Sequence, residues 1–487
     1  MRGMTLKAIA EAVCGTLYIK KDITSEELER EASSVVIDSR QAEKNGIFVA
    51  VKGAKADGHS FIPQVLETGV LGVICQDRPQ DENGSYIVVK DSLEAIKKLA
   101  KYYRSLFDIP VIGIIGSMGK TGTKEMTASV LSEKYRVLKT EGNFNNGAGV
   151  PLTLFRLRDE HEIAVIEMGI SEFGEMSMLA DIVRPDSVVM TNIGPCHLEQ
   201  LGDLDGVFRA KTEVFDYLST KGRVFLNGDD IRLRQVKEAG GKPPVFFAVS
   251  QREGIDVYAD EIVNKQLQGL DALFHIKGPA EVYDRTENRG VERKAPDAEF
   301  EVHIPLPGEH SVNNALAGCA VGSFYGLSPE EIREGIGKAQ GMKGRMNPVR
   351  TDKCLIIDDC YNANPNSMKN ALTLLARTGA QGQNIRCVAI LGDMFELGEQ
   401  SEQLHREVGR FAIDNGTDLL LIAGENSRAM YEEAGDANAL YYENTDSLIE
   451  ALKNGDLIRK DDVVLVKASH SMGFERVVEV IRGMKTP

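Results

Sequence analysis

A glycine-rich turn that ends in Lys120 and Thr121 is the part of this sequence best suited to phosphate chemistry. The turn spans residues 113–121, follows an apolar run and precedes a predicted helix. Glycines such as Gly116 and Gly119 let backbone N–H groups turn toward an anion, and a helix N-terminus adds partial positive charge. In a phosphate loop the lysine binds the β- and γ-phosphates, and the threonine hydroxyl binds Mg²⁺.

The spacing around the turn leaves one alternative open. The shorter pattern GxxGKT is present, but Ile114 stands where the full GxxxxGK[ST] pattern has its first glycine. A glycine turn with an incidental lysine is therefore the alternative, and the strand–turn–helix context favours the phosphate loop.

Two residues further along the chain could bind a metal beside this loop. Glu167 ends the predicted strand IAVIE, and His197 follows a strand predicted to end at Asn192. Carboxylate and threonine oxygens suit Mg²⁺, whereas imidazole is a less usual ligand for it. Taken alone, a glutamate at a strand end is usually solvated or caps a helix, and a single histidine is more often structural.

The elements that must position these residues fall into three predicted blocks, and the fold class is α/β. Residues 1–108 alternate short strands and helices, which predicts an N-terminal α/β domain. Residues 109–342 contain the phosphate loop and predict a central ATP-binding domain with a mainly parallel sheet and crossover helices. Within it, residues 278–297 are predicted to form a surface loop or long hairpin. Residues 343–487 alternate strictly, which predicts a doubly wound, Rossmann-like domain.

The third block has polar pairs where its predicted strands end. Ligands of doubly wound domains bind at the carboxyl ends of the strands. The pairs are Asp358 with Asp359, Gly392 with Asp393, and Ser469 with His470.

Composition narrows the class of protein further. The 487 residues are 42% hydrophobic and carry a net charge of −16, which argues against a nucleic-acid or anionic-membrane partner. No segment approaches the roughly 20 apolar residues of a membrane span, and the N-terminus lacks a signal-peptide core. Seven cysteines without a CxxC pair predict reduced, buried thiols. These features predict a cytoplasmic enzyme with soluble substrates.

The sequence resembles the Mur ligases over essentially its whole length. The first block carries DSRQAEKNGIFVAVKGAKADGHSFI. The central block carries GSMGKTGTKE, EGNFNNGAGVPLT, VIEMG, TNIGPCHLE, RAKTEVF and GEHSVNNALAG. The third carries GRMNPVR, IDDCYNANPNSMKNAL, LGDMFELGEQSEQLH and VKASHSMG. Within the family, GDMFELG, YNANP and DGHSFI are typical of the branch that uses D-alanyl-D-alanine.

The resemblance implies an amide-bond ligase of peptidoglycan precursor synthesis, with ATP and Mg²⁺ as cofactors. ATP would phosphorylate the terminal carboxylate of a UDP-linked muramoyl tripeptide, and the amine of D-alanyl-D-alanine would then attack the acyl phosphate. The third domain would close on ATP and the acceptor about a hinge near residues 341–346. The resemblance implies neither nucleic-acid binding nor membrane insertion, and we expect a monomer.

The resemblance also implies roles for individual residues. Lys211 would be carbamylated, which turns a cation into an anionic oxygen ligand; an exposed helix lysine is the alternative. The catalytic residues would be Lys120, Lys211, His197 and Glu167. The metal ligands would be Thr121, Glu167, His197 and the Lys211 carbamate. The ATP-binding residues would be Gly116, Gly119, Lys120, Thr121, Gly122, His310, Asn314, Arg345, Asp359, Tyr361, Asn362 and Asn364. The substrate-binding residues would be Ser39, Arg40, Asp57, His59, Asn143, Asn145, Asn146, Ser469 and His470, of which the first four match the uridine diphosphate region.

Some positions depart from the family pattern. Gly122 replaces Thr or Ser, Ser311 replaces Asn, and His470 replaces the arginine expected to bind the acceptor carboxylate. Ala468 replaces a glycine, and Gly147 and Ala148 replace a bulkier pair. A paralogous Mur-type ligase for a different acceptor is therefore the alternative reading. A non-catalytic nucleotide sensor is a second alternative, which the intact phosphate-loop and metal residues disfavour.

Overall fold

The computed structural model describes residues 1–53, 56–78, 83–250, 253–293, 296–341, 344–380, 385–395, 397–435 and 438–484. The chain divides into two compact units. The first contains Met1–Ile262, Ala272–Ile304 and His310–Ala339, and the second contains Val263–Asp271, Pro305–Glu309 and Gln340–Pro487. The predicted boundary between residues 342 and 343 lies outside the described residues, as does part of the predicted hinge at 341–346, and both stay predictions.

The first block is a small α/β layer. Its strands are β1 (Thr16–Tyr18), β2 (Val35–Val36), β3 (Ile47–Val49), β4 (Gly72–Cys75) and β5 (Tyr86–Val88), and its helices are α1 (Leu6–Val13), α2 (Ser25–Leu28), α3 (Ile62–Glu67) and α4 (Ser92–Ser105). The sheet order is β1-β5-β4-β3-β2, with β1 antiparallel to β5 and the other pairs parallel. Alternate strand residues face opposite sides, so Val49 and Ile74 join one apolar core while Phe48 and Val73 join another.

The central block is built on a larger sheet. Its strands are β6 (Val111–Ile115), β7 (Val137–Lys139), β8 (Ile163–Glu167), β9 (Ser187–Met190), β10 (Val224–Asn227), β11 (Val245–Ala248), β12 (Val257–Asn264), β13 (Leu270–Ile276), β14 (Glu281–Asp284), β15 (Arg289–Glu292) and β16 (Ala298–Ile304). Its helices are α5 (Lys120–Leu131), α6 (Gly149–Leu154), α7 (Glu175–Val183), α8 (Leu198–Leu201), α9 (Leu204–Thr212), α10 (His310–Phe324) and α11 (Pro329–Gly337).

The strand order of this sheet is β16-β13-β12-β11-β10-β9-β6-β8-β7. Every neighbouring pair from β7 to β12 is parallel, which confirms the predicted mainly parallel sheet. The strands β14 and β15 form a separate antiparallel hairpin, as predicted for this polar stretch. Because β6 lies between β8 and β9, the segments that follow these three strands emerge side by side at one edge.

Arg104 joins the first block to the central one within the first unit. This arginine near the end of α4 is buried, and its guanidinium donates hydrogen bonds to the carbonyl oxygens of Val183, Phe107 and Ile109. A buried cation needs its donors satisfied, so these carbonyls hold α4 against the start of the central sheet.

Gly335 is where α11 packs closely against α5. A Cβ at Gly335 would lie 2.5 Å from Cα of Val130 on α5. We expect Gly335→Ala to destabilise the protein by about 1–3 kcal/mol, because overpacking against backbone outweighs the gain in helix propensity. Gly337→Ala is the matched control, since nothing lies within 4 Å of its Cβ position. Thermal or urea unfolding measures both; equal stability of the two variants would contradict close packing here.

The third block forms the predicted doubly wound domain. Its strands are β17 (Asn347–Arg350), β18 (Cys354–Asp358), β19 (Cys387–Gly392), β20 (Leu419–Ala423), β21 (Ala439–Tyr442) and β22 (Asp462–Lys467), and its helices are α12 (Pro365–Gly379), α13 (Ser401–Asp414), α14 (Arg428–Ala434), α15 (Thr445–Asn454) and α16 (Glu475–Arg482). The order is β17-β18-β22-β19-β20-β21, and only β17 pairs antiparallel among these described strands. Separate apolar cores cover the two faces of the sheet.

The cysteine prediction was right for most thiols and wrong for one. The seven cysteines are free, and five of them are buried. Cys14 is exposed because it ends α1 in the left-handed conformation, with φ of 56°, which turns its side chain outward. Cys196 is half-buried. In the part of the chain that the structure describes, no helix combines the length and apolar character needed to cross a membrane.

Candidate functional site

The glycine turn between β6 and α5 has the geometry of a phosphate loop. Gly116 and Gly119 have φ values of 147° and 78°, which side chains disfavour. A Cβ on Gly116 would lie 1.9 Å from Oγ1 of Thr191. No side chain caps the start of α5, so its first N–H groups are available to an anion.

The segment after β9 braces this loop. Ser117 N–H donates to the Asn192 carbonyl at 3.0 Å, and Met118 N–H donates to Asn192 Oδ1 at 3.0 Å. The Thr191 hydroxyl donates to the Met118 carbonyl at 2.6 Å. The loop is therefore held in shape by protein contacts, as a preorganised anion site requires.

Lys120 lies over the loop, with Nζ donating to the carbonyls of Gly116 at 2.9 Å and Ser117 at 3.2 Å. Its ammonium group is thus held where the turn opens. Thr121 points its hydroxyl into the protein, where Oγ1 lies 3.3 Å from Oε1 of Glu167. The roles of Lys120 in phosphate binding and of Thr121 in Mg²⁺ binding stay predictions.

Glu167 is buried at the end of β8, and its surroundings orient it. Asn145 Nδ2 donates to Oε1 at 2.7 Å, and Lys124 Nζ lies 3.9 Å from Oε2. The Oε2 atom is buried without a hydrogen-bond partner in the structure. An orphaned buried carboxylate oxygen is costly unless another group binds it.

These residues fit Mg²⁺. The Thr121 hydroxyl and the Glu167 carboxylate supply hard oxygen atoms, and Glu167 retains an unsatisfied oxygen. Within the described residues, no three His, Cys, Asp or Glu side chains form a metal cage. Mg²⁺ commonly uses one or two protein oxygens together with substrate phosphates, so a full cage is not required.

Lys211 lies on α9 and is 2% exposed. Burial, and then the positive charge of Lys120, lower the pKa of Lys211 to about 8, against a raising effect of Cys196. Among the described residues no carboxylate forms an ion pair with Lys211. The alternative of an exposed helix lysine is therefore wrong. The lowered pKa means that a larger fraction of Lys211 carries a neutral amine near physiological pH than is usual for lysine.

His197 has a different setting. It precedes the short helix α8 in a left-handed conformation, with φ of 50°, and is exposed. The strand before it ends at Met190, two residues earlier than predicted. The structure brings Thr121, Glu167 and Asn145 together, whereas the role of His197 as a ligand stays a prediction.

The other asparagines near the loop have structural contacts. Asn146 Oδ1 accepts hydrogen bonds from the N–H groups of Ala148 and Gly149 at the start of α6, and Asn143 is exposed. Asn145 has its amide on Glu167, and its predicted contact with substrate stays a prediction.

Asn314 on α10 packs under the phosphate loop. Its Oδ1 accepts a hydrogen bond from Thr123 at 2.8 Å, and its Nδ2 would lie 2.6 Å from a Cβ on Gly122. The glycine at position 122 thus makes room for the asparagine. His310 at the start of the same helix is exposed.

The predicted uridine diphosphate residues form two small turns in the first block. Asp38 binds the exposed guanidinium of Arg40, which holds the pKa of this carboxyl down to about 2, and Ser39 lies between them. His59 Nδ1 lies 2.7 Å from Asp57, and its Nε2 accepts the N–H of Gln76 at 3.0 Å.

In the second unit, Tyr361 lies between two other predicted residues. The guanidinium of Arg345 lies 4.3 Å from the centre of the tyrosine ring, and the His470 ring lies 5.3 Å from it. Asn364 caps α12. Asp359 forms a buried ion pair with Lys467 at 2.6 Å, and Lys467 also donates to the Asn362 carbonyl at 2.8 Å.

Sequence reasoning missed two buried lysines that lie beside predicted site residues. Lys124 is fully buried beside Glu167, and Lys467 is buried beside Asp359. Both lie in motifs noted in the sequence, GKTGTKE and VKASHSMG. The sequence around each lysine does not indicate that it is buried. Only the contacts in the folded structure show that each lysine lies beside a carboxylate.

Comparisons with known proteins cover the whole chain. The model of the Mur ligase family catalytic domain matches residues 31–104, that of the Mur ligase middle domain 114–322, and that of the Mur ligase glutamate ligase domain 344–470. A relative from Bacillus subtilis named UDP-N-acetylmuramoyl-tripeptide--D-alanyl-D-alanine ligase is 34% identical, over 98% of this chain and 97% of its own.

Solved structures agree with these matches. A crystal structure of MurF from Acinetobacter baumannii superposes with a TM-score of 0.84 and 31% identity, over 99% of each chain. The MurF ligase from Thermotoga maritima in complex with ADP gives a TM-score of 0.73 and 26% identity, over 94% of this chain and 98% of that one.

Proposed function

The chain belongs to the Mur ligase family, and on that premise we propose that it joins D-alanyl-D-alanine to a UDP-N-acetylmuramoyl tripeptide at the expense of ATP. It is an ATP-dependent amide ligase of peptidoglycan synthesis. The predicted α/β fold with mostly parallel sheets agrees with this family.

The reaction overcomes the poor reactivity of a carboxylate, whose leaving group would be oxide. A carboxylate oxygen of the tripeptide attacks the γ-phosphorus of ATP, the bond from that phosphorus to the bridging oxygen breaks, and ADP leaves. The amine of D-alanyl-D-alanine then attacks the acyl carbon. The C–O bond to phosphate breaks, and phosphate and one proton leave as the amide forms. Positioning and charge neutralisation account for most of such catalysis.

The residues at the phosphate loop suit the first step. The Lys120 ammonium group and the N-terminus of α5, which no side chain caps, offset the charge of the transferred phosphoryl group. We propose that Thr121 and Glu167 hold Mg²⁺, and that Asn145 orients Glu167 for this purpose. When bound, Mg²⁺ supplies further positive charge to the phosphate oxygens.

The observation that carries the proposal is the buried Lys211. A buried lysine without a carboxylate partner is costly as an ammonium ion. Reaction of its neutral amine with CO₂ forms an N–C bond and releases one proton, leaving an anionic carbamate next to Lys120. This chemistry separates a Mur-type site from an ordinary phosphate loop.

The proposal extends to the other predicted binding residues. Ser39, Arg40, Asp57 and His59 would lie at the uridine diphosphate, and His310, Arg345 and Tyr361 at the nucleotide. We also propose a monomeric enzyme in the cytoplasm, where ATP and soluble nucleotide-linked precursors are available.

A phosphate-release assay tests the function. Purified enzyme is given MgATP, a UDP-muramoyl tripeptide and a panel of amines that includes D-alanyl-D-alanine, with product mass as the second readout. Phosphate release and a new amide that depend on D-alanyl-D-alanine support the proposal. Amide formation with another amine alone would indicate a paralogous ligase, and nucleotide binding without turnover would indicate a sensor.

We expect His470→Arg to lower the KM for D-alanyl-D-alanine about tenfold. The reason is that the planar guanidinium of arginine binds a carboxylate with two parallel hydrogen bonds, which an imidazole cannot form. Gln403→Arg on α13 is the control for a general change in surface charge, because it adds one positive charge at an exposed position. An unchanged KM in His470→Arg would remove residue 470 from the acceptor site.

A further inference from the structure

Phe395 is a large apolar side chain presented on the loop that follows β19, and it is 39% exposed. We propose that Phe395 contacts the methyl groups of the acceptor dipeptide, and that His405 is the positioning residue that holds Phe395 in place. The inference rests on the proposed function and extends it to the side chains that select the acceptor.

The backbone that leads into Phe395 is tightly held. Phe395 N–H donates to Oγ of Ser469 at 3.0 Å, and Ser469 N–H donates to the Asp393 carbonyl at 3.0 Å. These reciprocal bonds tie the loop after β19 to the loop after β22. The Asp393 carboxylate in turn accepts from the backbone N–H and the hydroxyl of Ser427, at 2.7 and 2.6 Å.

His405 on α13 adds another hydrogen bond to the loop after β19. It is fully buried; its Nε2 accepts the Met394 N–H at 3.0 Å, and its Nδ1 lies 2.7 Å from the Ser401 carbonyl. A backbone N–H only donates and a carbonyl only accepts, so the ring is neutral with its proton on Nδ1. Burial lowers the pKa of His405, which agrees with a neutral ring.

The place and chemistry of Phe395 favour the acceptor. Ligands of doubly wound domains bind at the carboxyl ends of the strands, and Phe395 is bonded there to Ser469, the neighbour of His470. D-Alanyl-D-alanine needs polar groups for its carboxylate and an apolar surface for its two methyl groups. The hydrogen bonds to the backbone N–H groups of Met394 and Phe395 fix the loop that carries this partly exposed ring, and a rigid support suits selection by shape.

The contact between Phe395 and the acceptor is tested by removing the apolar group from either partner, the ring from the enzyme or one methyl group from the dipeptide. We expect Phe395→Ala to raise the KM for D-alanyl-D-alanine about tenfold, a typical effect of lost apolar contact in a binding site. Wild type should prefer D-alanyl-D-alanine to D-alanyl-glycine, and Phe395→Ala should lose that preference, because partners in contact give non-additive effects. Leu440→Ala is the matched control, since Leu440 is 40% exposed on the edge strand β21.

The outcomes separate the possible failures. An unchanged preference between the two dipeptides in Phe395→Ala, or a raised KM for ATP alone, overturns the contact with the acceptor. A wild-type enzyme that makes no amide with D-alanyl-D-alanine overturns the proposed function and this inference with it.

His405 variants test the positioning role. We expect His405→Leu to raise the KM for the dipeptide while kcat and the KM for ATP change little. His405→Gln should restore the KM, because a carboxamide offers one acceptor and one donor, as the neutral ring does. Thermal unfolding of each variant reports folding separately. Equal loss of kcat and affinity for all substrates in His405→Leu, without rescue by glutamine, would assign His405 to stability alone.

Discussion

Replacing Lys120 by alanine is expected to lower turnover at least about 100-fold while the fold survives. The lysine is tethered over the phosphate loop through the carbonyls of Gly116 and Ser117, at the N-terminus of α5. Loss of one preorganised charge that stabilises a transition state typically costs 100- to 1,000-fold in rate. The side chain is half-buried at the turn, and we expect its removal to change stability little.

The measurement is phosphate release under saturating substrates, with thermal unfolding on the same samples. Lys338→Ala is the matched control, because Lys338 is exposed and forms ion pairs with Glu133 and Glu334 away from the phosphate loop. Near-normal turnover in a folded Lys120→Ala enzyme would refute the phosphate-loop assignment. A comparable loss in Lys338→Ala would trace the effect to overall charge.

Lys211→Arg is expected to be inactive. Carbamylation requires a neutral amine, which a lysine with a pKa near 8 can supply and an arginine cannot. The substitution keeps the positive charge and adds volume in a buried site, so activity separates the carbamate from a simple cationic role. Lys221→Arg is the control on an exposed lysine of the same block.

The complementary variant is Lys211→Ala with added carboxylate. Acetate or formate can occupy the space left by the side chain and supply the missing anionic oxygen, so partial rescue is expected. Dependence of rescue on carboxylate concentration, with chloride as the salt control, is the measurement. A fully active Lys211→Arg enzyme, or no difference between acetate and chloride, would rule out the carbamate.

The sequence by itself determined the order of elements and the position of the phosphate loop. Local signals were sufficient for these features: the apolar strand β6, the glycine turn and the start of α5 at Lys120 are adjacent in the chain. The third block was equally predictable, because each strand and helix carries its own period of apolar residues. The same alternation predicted that Asp358 and Asp393 lie where strands end, and both residues are buried in the structure.

Tertiary structure decided which side chains meet, because those contacts join residues far apart in the chain. Asn145 Nδ2 donates to Glu167, and Lys211 is buried near Lys120 with no carboxylate of the described residues paired to it. Neither fact can be inferred from spacing, since each depends on which strands are neighbours and how the helices cover them.

The same holds for the loop after β19. His405 lies eleven residues beyond Met394 and bonds its backbone, while Ser469 bonds Phe395 across 74 residues of sequence. The motif LGDMFELGEQSEQLH identifies the region, but it does not show which hydrogen bonds hold the loop in place. A hydrogen bond between distant residues exists only once the sheet has placed β19 beside β22, and that pairing is a property of the folded chain.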